Sequence, residues 1–307
     1  MTTTVFSPFN IFNYYQVGSI HLTITTFLIF FQILFFIVFY RLSKILNSTP
    51  FKIIKHHGIL SFLQQICHLV TSIRTILGKV EEDLLNALTG SILNSSFMAG
   101  VALTFLLTLN RCDIIFNNCL FSRIDRKKFY KNGIIVCYIY LILLTIFYLF
   151  PCFQITFDTT DYQWLYTYYC PYSDIGSQFE GKSVLLLLGL STILYIIMFL
   201  KLLHLRSLTT STNIFEVKDI KLLAYLFMCI FSIALFEFFW EESDLDIFSS
   251  QVTSMIPQLI FIFISGSNTL FTFCFVKEIR NEALNILCCR HSNRVQNIIN
   301  KPNTVRI

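Results

Sequence analysis

Charge is what this 307-residue chain has least of: Asp, Glu, Lys and Arg together make up 13% of it, against roughly 25% in soluble domains. With 55% hydrophobic residues, that deficit excludes an ordinary water-soluble globule, because the apolar surplus has to face lipid. Proline is also scarce, and only Pro151 and Pro257 lie within or beside the long apolar runs. This argues against the paired, broken helices of transporters. There is no Gly-rich phosphate loop, Ser nucleophile elbow, His-Glu-x-x-His or paired-Cys metal spacing, so the expectation is no enzyme and no cofactor or metal. Internal repeats and low-complexity tracts are missing, and the start of the chain has neither a basic n-region nor a small-residue cleavage site. The first apolar run therefore reads as an uncleaved anchor.

What the chain does have is seven runs long enough for a helix to cross a ~30 Å hydrocarbon slab at about 1.5 Å per residue. They are Gly18 to Tyr40, Ile53 to Leu77, Leu85 to Leu109, Gly133 to Cys152, Ser183 to Leu205, Ile220 to Trp240 and Gln251 to Val276. Lipid offers no partner for open backbone groups, so each must be helical. The fold expected is an all-α membrane protein, a seven-transmembrane helix bundle forming a single domain over residues 1–307, with a cytoplasmic segment at 277–307.

Twenty of the twenty-three Lys and Arg residues fall in four clusters between these runs, at positions 41–55, 111–131, 201–221 and 277–306. Short basic loops stay cytoplasmic, which places the N-terminus outside and the C-terminus inside. Twelve of the eighteen acidic residues, Glu180 and Glu237 among them, fall in or beside the opposite loops. The net charge of +5 then describes a basic inner face turned to anionic lipid and acidic cytosolic partners, not to nucleic acid.

Polar groups inside a membrane are costly and collect at interior contacts or cavities. Here they are Gln32, Gln64, Gln65, His68, Arg74, Asn94 and Glu237. The glutamines read best as hydrogen-bonding glue between helices. His68, Arg74, Asn94 and Glu237 are the ligand-binding candidates, although Arg74 can equally snorkel to headgroups and Glu237 can belong to a loop. Tyr162, Trp164, Tyr166, Tyr168, Tyr169 and Tyr172, in the long outer loop, suit either interface anchoring, the commoner role, or a lid over an apolar ligand.

Of ten cysteines, Cys152 and Cys170 alone share the oxidising side. They are open to two readings, a bridge that pins the long outer loop or two free thiols. After the seventh run, Val276, Ile279, Ala283 and Ile286 recur at helical spacing with charges off that face, which predicts a short amphipathic helix on the inner leaflet. Cys288 and Cys289 follow it, either as a palmitoylation site or as a chance pair. Asn213 with Glu216 predicts a helix cap before the sixth run.

The third run ends Leu107-Thr108-Leu109-Asn110-Arg111-Cys112. With that Arg at the inner helix end, seven runs and a trailing amphipathic segment, the chain resembles a G-protein-coupled receptor over nearly its whole length. Asn110-Arg111-Cys112 stands where rhodopsin-like receptors have Asp-Arg-Tyr. No Cys opens the third run, the sixth lacks a Trp-Pro kink, and Asn268-Thr269-Leu270-Phe271-Thr272 replaces Asn-Pro-x-x-Tyr. This combination, with Thr49-Pro50-Phe51-Lys52 in the first inner loop, is most similar to the nematode serpentine chemoreceptors, nearest their gamma superfamily; bitter-taste receptors are the closest competitor. The resemblance implies a small-molecule ligand in the outer half, a heterotrimeric G protein at the inner face, and coupling through Asn110, Arg111, Arg126 and Lys127. A multi-pass transporter or channel subunit is the alternative.

Overall fold

Backbone groups that face lipid must be satisfied within their own segment, and the chain accordingly folds almost entirely into helices. The computed structural model describes residues 13–78, 83–116, 125–159, 162–166, 170, 174–208, 217–242 and 251–288. Seven long helices form: α1 Tyr14–Arg41, α2 Thr49–Ile76, α3 Leu84–Ile115, α4 Arg126–Leu149, α5 Asp174–Leu208, α6 Val217–Glu242 and α7 Gln251–Phe275. A short α8, Lys277–Leu287, follows directly. Six of the seven, all but α2, are long and apolar enough to cross a membrane. α2 is 28 residues long but carries Lys52, Lys55, three histidines and Arg74, and it buries its polar face (Ser61, Gln64, Gln65, His68) against α1, α3 and α7.

α3 is the axis of the bundle, packed against α2, α4, α5 and α6. α5 lies at the periphery and leaves Leu186, Ile193, Ile196 and Leu200 exposed, as a lipid-facing flank should. Two of the three glutamines, Gln32 and Gln65, act as cross-links between helices, whereas Gln64 lines a cavity in the core. Gln32 of α1 donates to the Gly58 carbonyl at 3.0 Å and accepts from Thr269 of α7 at 2.5 Å, while Gln65 donates to the Ser265 carbonyl at 3.1 Å.

Several boundaries differ from the sequence expectation, each for a local reason. α4 begins at Arg126 rather than Gly133, because the Asp125 side chain caps it by accepting from the Lys127 and Lys128 amides. Arg126 to Lys131 are therefore helical rather than loop residues. α4 ends at Leu149, short of Cys152, because Phe150 precedes Pro151 and is extended. α5 begins at Asp174, nine positions before Ser183, so Glu180 belongs to a helix and not to a loop.

The all-α expectation also needs amending. Ile155–Asp158 (β1) and Gln163–Tyr166 (β2) pair antiparallel, Ile155 opposite Tyr166 and Phe157 opposite Trp164. Both are rich in β-branched and aromatic residues, as strands require, and Tyr162, at φ 58°, turns the chain into β2. On α8, Ile279 and Ala283 are buried and Arg280 and Lys277 exposed, with the charged face expected. The Asn213 and Glu216 cap, Cys289, Tyr168, Tyr169 and Tyr172 lie outside the described residues.

Candidate functional site

Three residues of α3 spaced one turn apart, Asn86, Gly90 and Asn94, seat the hairpin on the bundle. Asn86 donates to the Phe157 carbonyl at 3.2 Å and accepts from the Phe157 amide at 3.1 Å, pairing with β1 much as a neighbouring strand would. At Gly90 the Ile155 carbonyl oxygen would lie 2.1 Å from an added Cβ, so only glycine lets the hairpin backbone approach so closely. Asn94 donates to the Tyr166 hydroxyl at 3.3 Å. A disulfide between Cys152 and Cys170, 18 residues apart, closes the loop around the hairpin.

Beneath the hairpin lies Glu180. It is 5% exposed and falls on the buried stripe of α5 with Gly176, Val184 and Leu188. Tyr166 donates its hydroxyl to the Glu180 carboxylate, and Asn94, which holds that hydroxyl, lines the same cavity. No Lys or Arg among the described residues pairs with it. A cavity of about 10 Å³ adjoins the carboxylate, walled by Trp164, Phe236, Trp240 and Phe261 with Leu93 and Ile155. Trp164 is buried and its Nε1–H has no acceptor among the described residues. Tyr162, Trp164 and Tyr166 are thus buried against the bundle rather than turned outward.

The four ligand candidates do not converge. Asn94 is at the cavity with Glu180. His68 sits behind Phe261, ring centroids 5.2 Å apart, and neither of its ring nitrogens has a hydrogen-bond partner among the described residues. Arg74 forms an ion pair with Asp83 at 2.8 Å. That pair, with the hydrogen bond from the Asn86 amide, holds the Asp83 carboxyl below its ordinary range. Glu237 is buried on α6, one residue from Phe236. Glu180 was missed because an acid next to the polar loop 154–182 reads as solvated. Its spacing to Val184 and Leu188, at i+4 and i+8, was the available signal.

Deeper in the bundle, α2, α3, α6 and α7 surround a cavity of about 20 Å³ lined by His57, Gln64, Thr104, Ser232, Ser267 and Asn268. That is room for about one water molecule. Tyr225 donates to Asn268 beside it.

At the opposite, basic end, Asn110 and Arg111 lie in the last turns of α3, not at its edge. Asn110 of α3 and Tyr130 of α4 are both buried. Asp113 of α3, fully buried, pairs with Arg126 of α4 at 3.6 Å. A groove of about 570 Å³ runs here between Ser48, Thr49 and Pro50 on one side and Asn110, Arg126, Lys127 and Tyr130 on the other. Cys288 is exposed just past α8.

No protein-family model and no curated protein matches the sequence. Among solved structures, the chain superposes on squid rhodopsin with a TM-score of 0.71 at 13% identity, over 96% of this chain and 92% of that one. At that identity the likeness speaks for the fold alone. With six helices able to cross a membrane, this chain is an integral membrane protein with the helical-bundle fold seen in squid rhodopsin.

Proposed function

We propose that the chain is a chemosensory G-protein-coupled receptor of the nematode serpentine type, and neither an enzyme nor a transporter. All seven long helices cross the plasma membrane, in sensory cells that of the cilium, and α2 turns its polar side inward. The hairpin end faces outside and the basic end faces the cytosol. A small molecule enters beneath the hairpin and favours one of two helix arrangements, and the shift opens the basic end to a heterotrimeric G protein. The observation that carries this reading is the agreement with the rhodopsin fold over 96% of the chain.

Arg111 is the residue assigned to coupling, supported by Asn110, Arg126 and Lys127 along the groove at the ends of α3 and α4. A ligand acts only through different affinity for the two states, so binding and signalling are measured separately. A mixed panel of small molecules is screened for G-protein nucleotide exchange. Arg111→Ala is expected to keep surface expression and abolish exchange; a variant that signals normally removes Arg111 from the mechanism. An engineered glycan acceptor near Thr4 should be modified and one near Arg126 should not; the reverse pattern overturns the orientation.

A further inference from the structure

We propose that the site under the hairpin takes a small organic cation, an amine or quaternary ammonium with an apolar body, with Glu180 as its counter-ion. The proposal deepens the receptor reading above and rests on it for the direction of entry. A carboxylate removed from water is costly unless paired. Glu180 is 5% exposed, yet its hydrogen-bond partner among the described residues is a neutral donor, the Tyr166 hydroxyl, itself held by the Asn94 amide. That hydroxyl can be exchanged for a charged donor, whose hydrogen bond to a carboxylate is roughly twice as strong as a neutral one.

The adjoining walls select the kind of cation. Phe236 stacks on Phe261 with centroids 4.7 Å apart, and Trp240 packs against both at 5.3 and 6.1 Å. Trp164 faces the same cavity from the hairpin. Aromatic faces attract a weakly hydrated organic cation and accommodate its apolar part. A metal ion is disfavoured, since no group of three His, Cys, Asp or Glu side chains gathers among the described residues.

At about 10 Å³ the cavity is closed, far below the roughly 300 Å³ of a ligand site. The occupant therefore has to displace the Tyr166 hydroxyl from Glu180 and lift β2. That displacement supplies the difference between two states that signalling needs: Tyr166 holds the carboxylate in one, and the ligand's ammonium holds it in the other.

The test uses the full chain in lipid nanodiscs, with calorimetric binding and melting temperature as readouts. The probes are 2-phenylethylamine, its trimethylammonium derivative and the neutral isostere 2-phenylethanol. Both cations are expected to bind and raise the melting temperature, and the alcohol to do neither. Glu180→Gln should weaken the cations roughly 100-fold, Glu180→Asp should keep the preference for cations, and Trp240→Leu should cost roughly fivefold for the trimethylammonium probe. If Glu180→Gln fails to fold, Glu180→Asp and Trp240→Leu decide. The proposal is overturned if no cation binds, if the alcohol binds as well as the amine, or if Glu180→Gln binds amines normally. Nucleotide exchange separates the two readings: exchange driven only by neutral ligands sinks the cation site and spares the receptor, whereas cation binding with no exchange under any ligand does the reverse.

Discussion

Glu180 and Asp113 are both carboxylates buried inside the same bundle, one near each end, and they are satisfied in opposite ways. Asp113 meets the Arg126 guanidinium 3.6 Å away, so its charge is matched by the protein itself. Among the described residues Glu180 is held by the Tyr166 phenol, with the Asn94 amide behind it. A matched charge favours one packing of α3 against α4, whereas a charge met by an exchangeable neutral donor leaves a place for something else. The basic end is in this sense closed by its own residues, and the hairpin end by a removable lid.

The most severe way to break this comparison is to unseat the lid. Gly90→Val places side-chain atoms where the Ile155 carbonyl lies, and the hairpin cannot then dock. Almost no folded protein is expected by size-exclusion chromatography in detergent. Cys152→Ser frees the loop that closes over the hairpin, which should cost about 3 kcal/mol by loop entropy, read as a lower melting temperature that reducing agent no longer changes. Glu180→Leu should cost about 2 kcal/mol by leaving the buried Tyr166 hydroxyl without an acceptor, while Glu180→Gln should be close to neutral.

At the other end the effects are smaller. Arg126→Ala strips Asp113 of its cation, but the arginine side chain is 41% exposed, so water and other groups compensate and about 1 kcal/mol is expected. Asp113→Asn introduced into that variant should restore the loss; no restoration would show that the ion pair is not what holds α3 to α4. The smallest effect is the pH dependence from Asp83. Its carboxyl titrates below the ordinary value of 3.8 in the folded state because Arg74 and the Asn86 amide favour the charged form. Its contribution is therefore fully present above that ordinary value and is lost as pH falls through the depressed one. Acid melting curves of Asp83→Asn should show a shallower decline below pH 4, by a fraction of about 1 kcal/mol given that the side chain is 43% exposed.

The helices were legible in the sequence because lipid imposes one rule on every apolar run, and Gln32 and Gln65 were legible as glue because a buried amide has few alternatives. What was not legible came from long-range pairing. Nothing local to Ile155 or Gln163 says that Asn86 will take up the Phe157 backbone, so the hairpin read as loop. Glu180 looked like one more outer acid until α5 was seen to begin at Asp174. Arg74 read as a pocket residue because its partner Asp83 sits in the turn between two helices, where a charge count by segment separates them. The basic residues from Arg126 read as loop until the Asp125 cap extended α4 to meet them.

The length of α3 has a mechanical meaning. It runs 32 residues in one uninterrupted helix, about 48 Å at 1.5 Å per residue, with Asn94 a third of the way along and Arg111 near the far end. A rod of that kind needs no chain of side-chain relays: a tilt of about 10° about its midpoint moves its two tips by about 4 Å in opposite directions. Asn86, Gly90 and Asn94 fasten the hairpin toward one tip, and Asp113 is clasped by α4 near the other. The helix is a lever with a handle at each end.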